Sequence, residues 1–472
     1  MADGEVMSRD ILIIGGGLAG LAAAVQLAEA GERPVVLETR RKLGGRATSF
    51  DDARSGTVLD NCQHVLMGCC TNLQDLYHRL GVLDSIEWHD TLHWLREDGG
   101  VDSLGASRLP GPLHRAGAFL SMKLLDRAGK REVRRACWAL LRMGQSGRMG
   151  WSERTFRAWL DEHGQTDRTR TLFWDPIIIS ACNLDCEHVA AVHGIQVFQE
   201  AFLPSRFAGS MGLPSVPLRD LYDPAESIIA GAGGSIEFGR SVRSITFGEH
   251  GVEGVVTNEG PRPASRVIST VPPDRLSKLV PERWKERDRR LQHLDDFGTS
   301  PILGVHLLLD AKVFEYPHMV LPGHEVHWIF NKGCNAEGQQ HLHAVISAAD
   351  DWMHLDEAVI AERVFETLCA AVPAARDRSI VNVRSVKEKR ATFAATAEIE
   401  PKRPCSAPST IGTRGGDAQG LFLAGDWCAT GWPATMEGAV RSGYLAAEAA
   451  CGSGGLVPDL PPDRLAGLMA GA

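Results

Sequence analysis

The sequence lacks any apolar run long enough to cross a membrane. A spanning helix needs about 18 consecutive apolar residues, and no stretch of this chain reaches that length. The apolar run over residues 11–14 resembles the start of a signal peptide, but neither a basic segment nor a clear cleavage site accompanies it. We therefore expect a cytoplasmic protein.

Cysteines paired at the spacing of a zinc site are also absent. The chain has 11 cysteines, which is an odd number, and they are scattered. Cys69 and Cys70 are adjacent and Cys182 and Cys186 are four apart, but no C-x-x-C pairs occur. This distribution predicts free thiols in a reducing compartment and no bound metal.

An excess of positive charge is missing as well. The 50 Lys and Arg are outnumbered by 59 Asp and Glu, which gives a net charge of -9 at pH 7. Proteins that bind nucleic acids generally carry a basic surface, so no nucleic-acid partner is expected. A chain of 472 residues exceeds one ordinary hydrophobic core and predicts two domains.

Residues 10–38 read DILIIGGGLAGLAAAVQLAEAGERPVVLE and predict a strand, a glycine turn, a helix and a second strand. Gly15, Gly17 and Gly20 have G-x-G-x-x-G spacing. Such glycines allow a tight turn and bring a pyrophosphate to the N–H groups at a helix N-terminus. Glu38 ends the second strand, where a carboxylate binds a ribose hydroxyl. The pattern predicts a dinucleotide, NAD or FAD, held by Gly15, Gly17, Leu18, Ala19, Gly20 and Glu38.

A second glycine pair lies just beyond the acid, in TRRKLGGRATSF. Gly44 and Gly45 let the backbone approach a ligand closely, and Arg46 can neutralise a phosphate or orient a carbonyl group. An ordinary basic loop would have the same composition, but the position of this one favours contact with the cofactor. The predicted contacts here are Thr39, Arg40, Gly44, Gly45 and Arg46.

Residues 421–450 repeat the order of elements in the first motif, which is a strand, a glycine and a helix N-terminus. A buried strand over 421–424 meets Gly425 and Asp426, and a helix begins near Thr435. Asp426 can bind a ribityl hydroxyl, and the helix N-terminus attracts a polar or anionic group. A nicotinamide enzyme needs no second site so far downstream, whereas an extended FAD does. The stretch therefore favours FAD and adds the contacts Gly425, Asp426, Thr435 and Met436.

The residues between these motifs predict two sheets. A helix over 225–230 precedes strands that are expected to return to the first sheet, at 236–245, 255–257 and 267–270. Three later strands, covered by a helix over 357–371, are expected to build a second sheet, at 302–309, 326–330 and 341–347.

His64 and Asp175 are the two candidate proton donors. The pKa of an unperturbed imidazole lies near neutrality, which suits His64 for acid catalysis, although a lone histidine is more often structural. Asp175 follows Phe173 and Trp174, and a carboxylate among such residues is costly unless it is paired or functional.

Two pairs of closely spaced histidines raise the question of a metal site. His324 precedes His327, and His341 precedes His343. Histidines on one face of a strand can ligate a metal, but no carboxylate or cysteine spacing accompanies these pairs. We therefore expect structural or surface histidines.

Residues 108–148 have a different character, with ten Lys or Arg against two acids, Asp126 and Glu132. Apolar residues interleave with these charges at helical spacing. A basic amphipathic helix of this kind can lie on an anionic bilayer surface. A solvated helix pair packed on the protein would show the same pattern, so both interpretations stay open. No base-stacking aromatic pattern accompanies the charges, which again speaks against nucleic acid.

Taken together, GGGLAGL, Glu38, LGGR, VISTVPP and LFLAGD…TMEGAVRSG resemble the flavin amine oxidase and phytoene desaturase superfamily, over nearly the whole chain. Within it, DNCQHVLMGCCTNL, FWDPIIISACNLDCEHVAA and PLRDLYDPAESIIAGAGGSIEFG resemble the squalene-associated branch, the hydroxysqualene dehydroxylases. The terminal motifs specify FAD strongly and the substrate weakly.

The resemblance implies a mixed α/β fold. It would contain a glutathione-reductase-type, Rossmann-like FAD-binding domain and an inserted substrate domain of mixed sheet plus helices. The FAD-binding domain would comprise 1–90, 214–275 and 388–455, where Val242 would contact the adenine through its backbone. The substrate domain would comprise 91–213 and 276–387, followed by a C-terminal tail over 456–472.

The implied reaction is reductive removal of an allylic hydroxyl from a large apolar isoprenoid, with FAD as cofactor. The protein would be cytoplasmic and could attach to the inner face of the membrane through 108–148. The nearest alternative is a carotenoid or phytoene desaturase. An amine oxidase is a further alternative, although no convincing aromatic pair lies in the C-terminal segment. A non-catalytic flavoprotein scaffold also stays open, because fold alone does not establish function.

Overall fold

The computed structural model describes residues 10–409 and 417–470. Residues 1–9 and 410–416, within the predicted FAD-binding segments, and 471–472, at the end of the predicted tail, lie outside the described residues. The strands are β1 Asp10–Ile14, β2 Arg33–Glu38, β3 Ser49–Asp52, β4 Thr57–Asp60, β5 Leu66–Met67, β6 Ile86–His89, β7 Thr91–Leu95, β8 Val101–Gly105, β9 Met211–Pro214, β10 Ser235–Phe238, β11 Val242–Phe247, β12 Val252–Thr257, β13 Gly260–Pro263, β14 Val267–Ser269, β15 Thr299–Leu309, β16 His318–Val320, β17 Trp328–Cys334, β18 Gln340–Ser347, β19 Ile380–Phe393 and β20 Leu421–Leu423.

The α-helices alternate with these strands in the first part of the chain and cluster between β8 and β9. They are α1 Leu18–Glu29, α2 Thr71–Arg79, α3 Ala116–Ser121, α4 Arg127–Gly147, α5 Phe156–Glu162, α6 Asp167–Thr169, α7 Asp175–Cys182, α8 Ala191–Val197, α9 Pro224–Gly231, α10 Pro273–Leu279, α11 Glu282–Arg287, α12 Glu357–Ala371, α13 Met436–Cys451 and α14 Arg464–Ala470.

The first sheet collects strands from both ends and the middle of the chain. Its order is β10-β2-β1-β14-β20, and every neighbouring pair is parallel. Parallel strands covered on both faces need apolar residues at successive positions, and the last four residues of β1 are all buried. The order places the ends of β1, β2 and β20 at one edge, where the glycine-rich segments begin.

The prediction that strands 236–270 return to the first sheet is right for β10 and β14 and wrong for the residues between them. β11, β12 and β13 form a separate antiparallel sheet of three strands. The physical reason is the short connections, because strands joined by tight turns pair antiparallel with each other and cannot enter a parallel sheet.

The second sheet has seven strands in the order β19-β15-β18-β17-β16-β7-β8. Its strands β15, β17 and β18 confirm the predicted second sheet, and α12 has the predicted bounds. Ile360, Val364 and Leu368 of α12 are buried against one face of the sheet. The opposite face packs on the helices between β8 and β9, whose buried aromatic residues include Trp159 and Trp174.

The observed architecture confirms the predicted mixed α/β class. Among the described helices, none combines the length and the hydropathy that crossing a bilayer requires. The division into an FAD-binding domain and an inserted substrate domain at the boundaries named above stays a prediction.

Candidate functional site

The glycine turn after β1 leaves no room for side chains. Gly15 has φ +108°, a conformation that favours glycine. A Cβ on Gly20 would lie 2.0 Å from the carbonyl oxygen of Gly15, so α1 packs directly on the turn. Leu18 and Ala19, the first residues of α1, are buried. The N-terminus of α1 is thereby held at the end of β1.

The second glycine pair lies against the first. Gly44 N donates to the carbonyl oxygen of Gly16 over 2.9 Å, and Gly17 and Gly44 form a parallel bridge. A Cβ on Gly45 would lie 3.1 Å from Gly17 Cα. Two segments that meet through bare backbone suit a pyrophosphate, which is bound by N–H groups and excluded by intervening side chains.

Glu38 connects these two segments. Its Oε2 accepts a hydrogen bond from Gly16 N over 2.7 Å, and its Oε1 accepts one from Arg40 N over 2.7 Å. Glu38 is buried at the end of β2. A carboxylate has about four lone-pair sites, so Glu38 can support the turn and still accept a bond from a ribose hydroxyl.

Thr39 and Val242 lie at the same end of the sheet. Thr39 follows Glu38 directly and is exposed. Arg240 N donates to the carbonyl oxygen of Glu38 over 2.9 Å, and β11 begins with half-buried Val242 two residues later. The residues predicted for the adenosine side thus surround one strand end.

Arg46 joins this end of the site to the C-terminal motif. Its Nη2 donates to Asp426 Oδ1 over 2.5 Å, and its Nη1 donates to the carbonyl oxygen of Ala391 over 3.0 Å. The Asp426 side chain is 7% exposed, whereas that of Arg46 is 37% exposed. The guanidinium has five N–H donors, so Arg46 retains accessible donors for a ligand.

Gly425 and Thr435 shape the loop that carries Asp426. Gly425 has φ +136°, and its N–H donates to Ser442 Oγ over 2.7 Å. Thr435 caps α13 by accepting a hydrogen bond from Gly438 N over 3.1 Å. Half-buried Met436 is the first residue of that helix. The loop is therefore tied to α13 at both of its ends.

Helices α1 and α13 pack against each other at a glycine. A Cβ on Gly443 would lie 2.3 Å from the carbonyl oxygen of Ala19, which only direct backbone contact allows. The helices that follow β1 and β20 are thus held side by side. This contact and the Arg46–Asp426 pair bring together the two motifs that the sequence places at opposite ends of the chain.

Arg403 supports the same loop and was missed by sequence reasoning. Its fully buried guanidinium donates through Nη2 to the carbonyl oxygens of Cys428 over 2.6 Å and Trp432 over 2.7 Å. Its Nη1 lies 3.0 Å from Glu400 Oε2, which also lies 2.7 Å from His193 Nε2. A single arginine that binds backbone carbonyls has no spacing pattern, so no sequence signal identifies it.

Glu437 is a second residue that sequence reasoning missed. It lies in the first turn of α13, is 1% exposed, and accepts hydrogen bonds from Asn72 N over 3.1 Å and Leu73 N over 2.7 Å. Burial raises the pKa of Glu437, while Arg441, whose Nε donates over 2.7 Å, opposes that rise. This carboxylate connects α13 to the N-terminus of α2. It thereby stabilises the position of the first turn of α13, which begins at Met436.

Asn61 contacts Arg46, and His64 lies three residues further along the same segment. Asn61 Nδ2 donates to the carbonyl oxygen of Arg46 over 2.7 Å and to Glu388 Oε1 over 3.1 Å. His64 Nδ1 donates to the carbonyl oxygen of Cys62 over 3.0 Å. This bond fixes the proton of a neutral imidazole on Nδ1, and burial lowers the pKa of His64. At neutral pH, His64 Nε2 is therefore mainly a hydrogen-bond acceptor.

Asp175 makes its contacts elsewhere. It is the first residue of α7, its carboxylate lies 3.7 Å from Arg170 Nε, and its side chain is 30% exposed. Burial raises the pKa of Asp175, and a hydrogen bond with Cys186 opposes that rise. These partners belong to the helical layer, and none of them is a residue of the glycine motifs.

The histidine pairs have separate surroundings. His341 Nε2 lies 3.0 Å from His306 Nδ1, and the ring of His343 stacks on that of His306 with 3.8 Å between centroids. His327 Nδ1 accepts a hydrogen bond from Ser347 N over 3.1 Å. Within the described ranges, no group of three His, Cys, Asp or Glu side chains converges so as to hold a metal ion.

Comparison with known proteins assigns the family. The profile described as "Flavin containing amine oxidoreductase" matches residues 18–451. The chain belongs to this family. It is therefore a flavin-dependent oxidoreductase.

Individual relatives are distant in sequence. A 15-cis-phytoene desaturase from an Oncidium hybrid cultivar is 27% identical, over 93% of this chain and 77% of its own length. A hydroxysqualene dehydroxylase from Rhodopseudomonas palustris is 28% identical, over 95% of this chain and 100% of its own. The crystal structure of an oxidoreductase from Methanosarcina mazei has a TM-score of 0.68 and 18% identity, over 94% of this chain and 100% of that one. This structural likeness confirms the predicted fold.

The family's cofactor is FAD, and the residues present fit it. The bare backbone where Gly17 meets Gly45 suits the pyrophosphate, and Glu38 suits the ribose. Arg46 and Asp426 lie at the loop predicted for the flavin side. When bound, FAD supplies two-electron hydride-transfer chemistry. The individual contacts predicted from the sequence stay predictions.

Proposed function

We propose that the protein reductively removes the allylic hydroxyl of a hydroxysqualene-like isoprenoid to give squalene, in hopanoid or triterpenoid synthesis. The observation that carries the proposal is the match to the hydroxysqualene dehydroxylase, which extends over 95% of this chain and 100% of the relative. The plant phytoene desaturases match over 77–79% of their own length, and the one from Synechococcus elongatus matches over 95%. The motifs over residues 60–73 and 173–191 support the same branch.

The reaction balances with one proton and one hydride. The carbon–oxygen bond of the allylic alcohol breaks, the hydroxyl takes a proton and leaves as water, and the carbon receives a hydride to become the hydrocarbon. Reduced FAD, held by the glycine turns and Glu38, would supply the hydride with its two electrons. The protein's part is to orient the alcohol, exclude other water and deliver the proton.

The surroundings of residues 61–64 suit a segment that orients the alcohol, excludes other water and delivers the proton. On one side, Asn61 is hydrogen-bonded to the backbone of Arg46. On the other side, Cys62 belongs to a buried apolar cluster that includes Trp94, Phe173 and Phe330. Apolar residues next to a few polar groups are the usual composition of a site for a large hydrophobic ligand.

His64 is our first candidate for the proton donor and Asp175 our second. His64 lies in the segment next to Arg46, whereas the contacts of Asp175 lie in the helical layer. Because burial lowers the pKa of His64, its acidic form is a minority at neutral pH. We therefore propose that turnover through His64 increases as the pH falls.

The experiment that tests the function uses the purified FAD-loaded protein, chemically reduced without oxygen. Hydroxysqualene should reoxidise the flavin and yield squalene, detected by mass spectrometry. Formation of additional double bonds in phytoene by the oxidised protein would instead favour a desaturase. Flavin reduction by an amine such as putrescine would favour an amine oxidase. A flavin that responds to none of these compounds would favour the non-catalytic scaffold.

The proposal also includes the cellular location. An apolar isoprenoid partitions into a bilayer, so an enzyme that uses it gains from contact with a membrane surface. We propose a cytoplasmic protein that attaches to the inner face of the membrane through residues 108–148. Ten Lys or Arg in this segment support that attachment.

A further inference from the structure

Helix α4 presents one row of arginines to solvent. Arg127, Arg131, Arg134 and Arg142 are exposed and are separated by three, four or eight positions. Residues at such spacing share one face of a helix. Trp138, which is 50% exposed, lies within the row. We call these five residues the basic row.

The opposite face of α4 packs on the protein. Val133, Ala136 and Leu140 are at most 2% exposed and belong to the core beneath the seven-stranded sheet. The apolar side of this amphipathic helix is therefore not available to a bilayer. The interpretation of a helix packed on the protein is right for this side, and any membrane contact has to use the basic row.

The arginines of the basic row have no ion-pair partner in the part of the chain that the structure describes. Among the described residues, none of its four arginines donates to a carboxylate or a carbonyl oxygen. Neighbouring arginines of the same segment differ, since Arg135 donates to the carbonyl oxygen of Gly164 over 2.7 Å and Arg148 lies 2.5 Å from Glu200. Like charges three or four positions apart destabilise a helix, so the row costs stability until an external anion compensates it.

Exposed apolar residues flank the basic row. Leu120 is 53% exposed, and its carbonyl oxygen accepts a hydrogen bond from Lys130 Nζ over 2.7 Å, which places it beside α4. Met149, just after α4, is 58% exposed. Leu468 is 74% exposed and belongs to α14, which packs on α4. Exposed large apolar residues thus lie beside α4 at both of its ends.

We propose that the basic row and its apolar flanks form a docking surface for a bilayer that contains anionic phospholipids. Arginine forks bind phosphate oxygens in pairs. Tryptophan prefers the depth of the lipid headgroups, and isolated leucine and methionine side chains can enter the outermost acyl region. Because the whole chain has a net charge of -9, an anionic membrane repels most of its surface and selects this face. The inference deepens the membrane part of the proposed function and does not depend on the substrate.

The test is sedimentation of the full-length, FAD-loaded protein with lipid vesicles. Vesicles of phosphatidylcholine mixed with phosphatidylglycerol should bind the protein, and vesicles of phosphatidylcholine alone should not. Binding should weaken as salt is added, because screening acts on the charges. Brominated lipids should quench Trp138 fluorescence, identified as the difference between the wild type and Trp138→Phe.

Paired variants locate the surface. Arg131→Gln with Arg134→Gln should weaken binding by about tenfold to thirtyfold, since each arginine near an anionic surface contributes roughly a fivefold factor. The matched control is Arg243→Gln with Arg289→Gln, which removes the same charge from exposed positions outside residues 108–148. This control should bind like the wild type. Both proteins should retain FAD, which shows that they are folded.

Three results would overturn the inference. They are equal binding to both kinds of vesicle, equal weakening by the two double variants, and no binding to anionic vesicles by a protein that binds RNA or inorganic phosphate instead. A protein that binds anionic vesicles but does not convert hydroxysqualene would support the docking surface and count against the proposed reaction alone.

Discussion

Arg46 and Asp426 form an ion pair across 380 residues of sequence, with 2.5 Å between Nη2 and Oδ1. The arginine follows the second glycine pair, and the aspartate follows the last strand of the parallel sheet. The pair therefore closes the loop of LGGR onto the loop of LFLAGD. Because Asn61 binds the backbone of Arg46, the same contact positions the segment that carries His64.

Asp426→Ala should lower FAD retention and stability together. The change leaves Arg46 without its carboxylate, and since the arginine is 37% exposed we expect a cost of about 1–2 kcal/mol. Flavin absorbance per protein after gel filtration measures retention, and urea unfolding measures stability. Asp51→Ala, which breaks the exposed pair with Arg219, is the control and should change neither. Full FAD retention by Asp426→Ala would remove the pair from the cofactor site.

Gly20→Ala should abolish FAD binding. Its Cβ would lie 2.0 Å from the carbonyl oxygen of Gly15, so α1 would have to move away from the turn. Overpacking of this kind costs about 1–3 kcal/mol. Gly117→Ala is the matched control, because no atom lies within 4 Å of its Cβ position. The prediction is wrong if Gly20→Ala purifies with as much flavin as this control.

Turnover of hydroxysqualene should increase as the pH falls below the ordinary imidazole pKa of about 6.5. Burial lowers the pKa of His64, so its protonated form accumulates only in acid. His64→Ala should remove this dependence along with most of the rate, and exposed His78→Ala should leave both unchanged. The measurement is the rate of flavin reoxidation across a pH series. An unchanged profile in His64→Ala would assign the proton to another group.

Glu400 should stabilise the fold at neutral pH and lose that effect in acid. Burial alone would raise its pKa, but His193 and Arg403 outweigh burial and hold the pKa at about 2, below the ordinary 4.5. The stabilisation is therefore fully present above pH 4.5 and is lost as the pH falls from 4.5 towards 2. Its upper limit is about 3 kcal/mol.

Urea unfolding of Glu400→Gln across this pH range measures the effect. The variant should be less stable than the wild type at neutral pH, and the difference should shrink in acid. Exposed Glu366→Gln is the control and should show no difference at either pH. A difference that stays constant with pH would mean that the ionisation of Glu400 does not contribute.

Local patterns in the chain predicted the parts of the site that depend on backbone conformation. Gly15 and Gly20 follow an apolar strand at fixed spacing because the turn itself excludes side chains, and that requirement is visible in one segment. The same holds for Thr435, since a helix N-cap is determined by the residues beside it. Arg403 and Glu437 escaped prediction because they act on backbone groups far away in sequence.

Residues 108–148 are another case in which the sequence predicted the local structure but not its tertiary contacts. The alternation of basic and apolar residues established an amphipathic helix but not what covers its apolar face. Packing of Val133 and Leu140 beneath the second sheet decided that question. The separate sheet of β11–β13 is a similar case, because period-two alternation identifies strands without stating which sheet they join.

The sequence by itself determined the nucleotide turn, the two buried strands beside it and the second glycine-bearing segment near the C-terminus, because each is specified by residues adjacent in the chain. Only the tertiary structure decided that these segments meet. Arg46 pairs with Asp426, and α1 packs on α13 at Gly443, because the parallel sheet places β1 and β20 on either side of β14. Contacts between residues hundreds of positions apart follow from that packing and leave no local pattern to read.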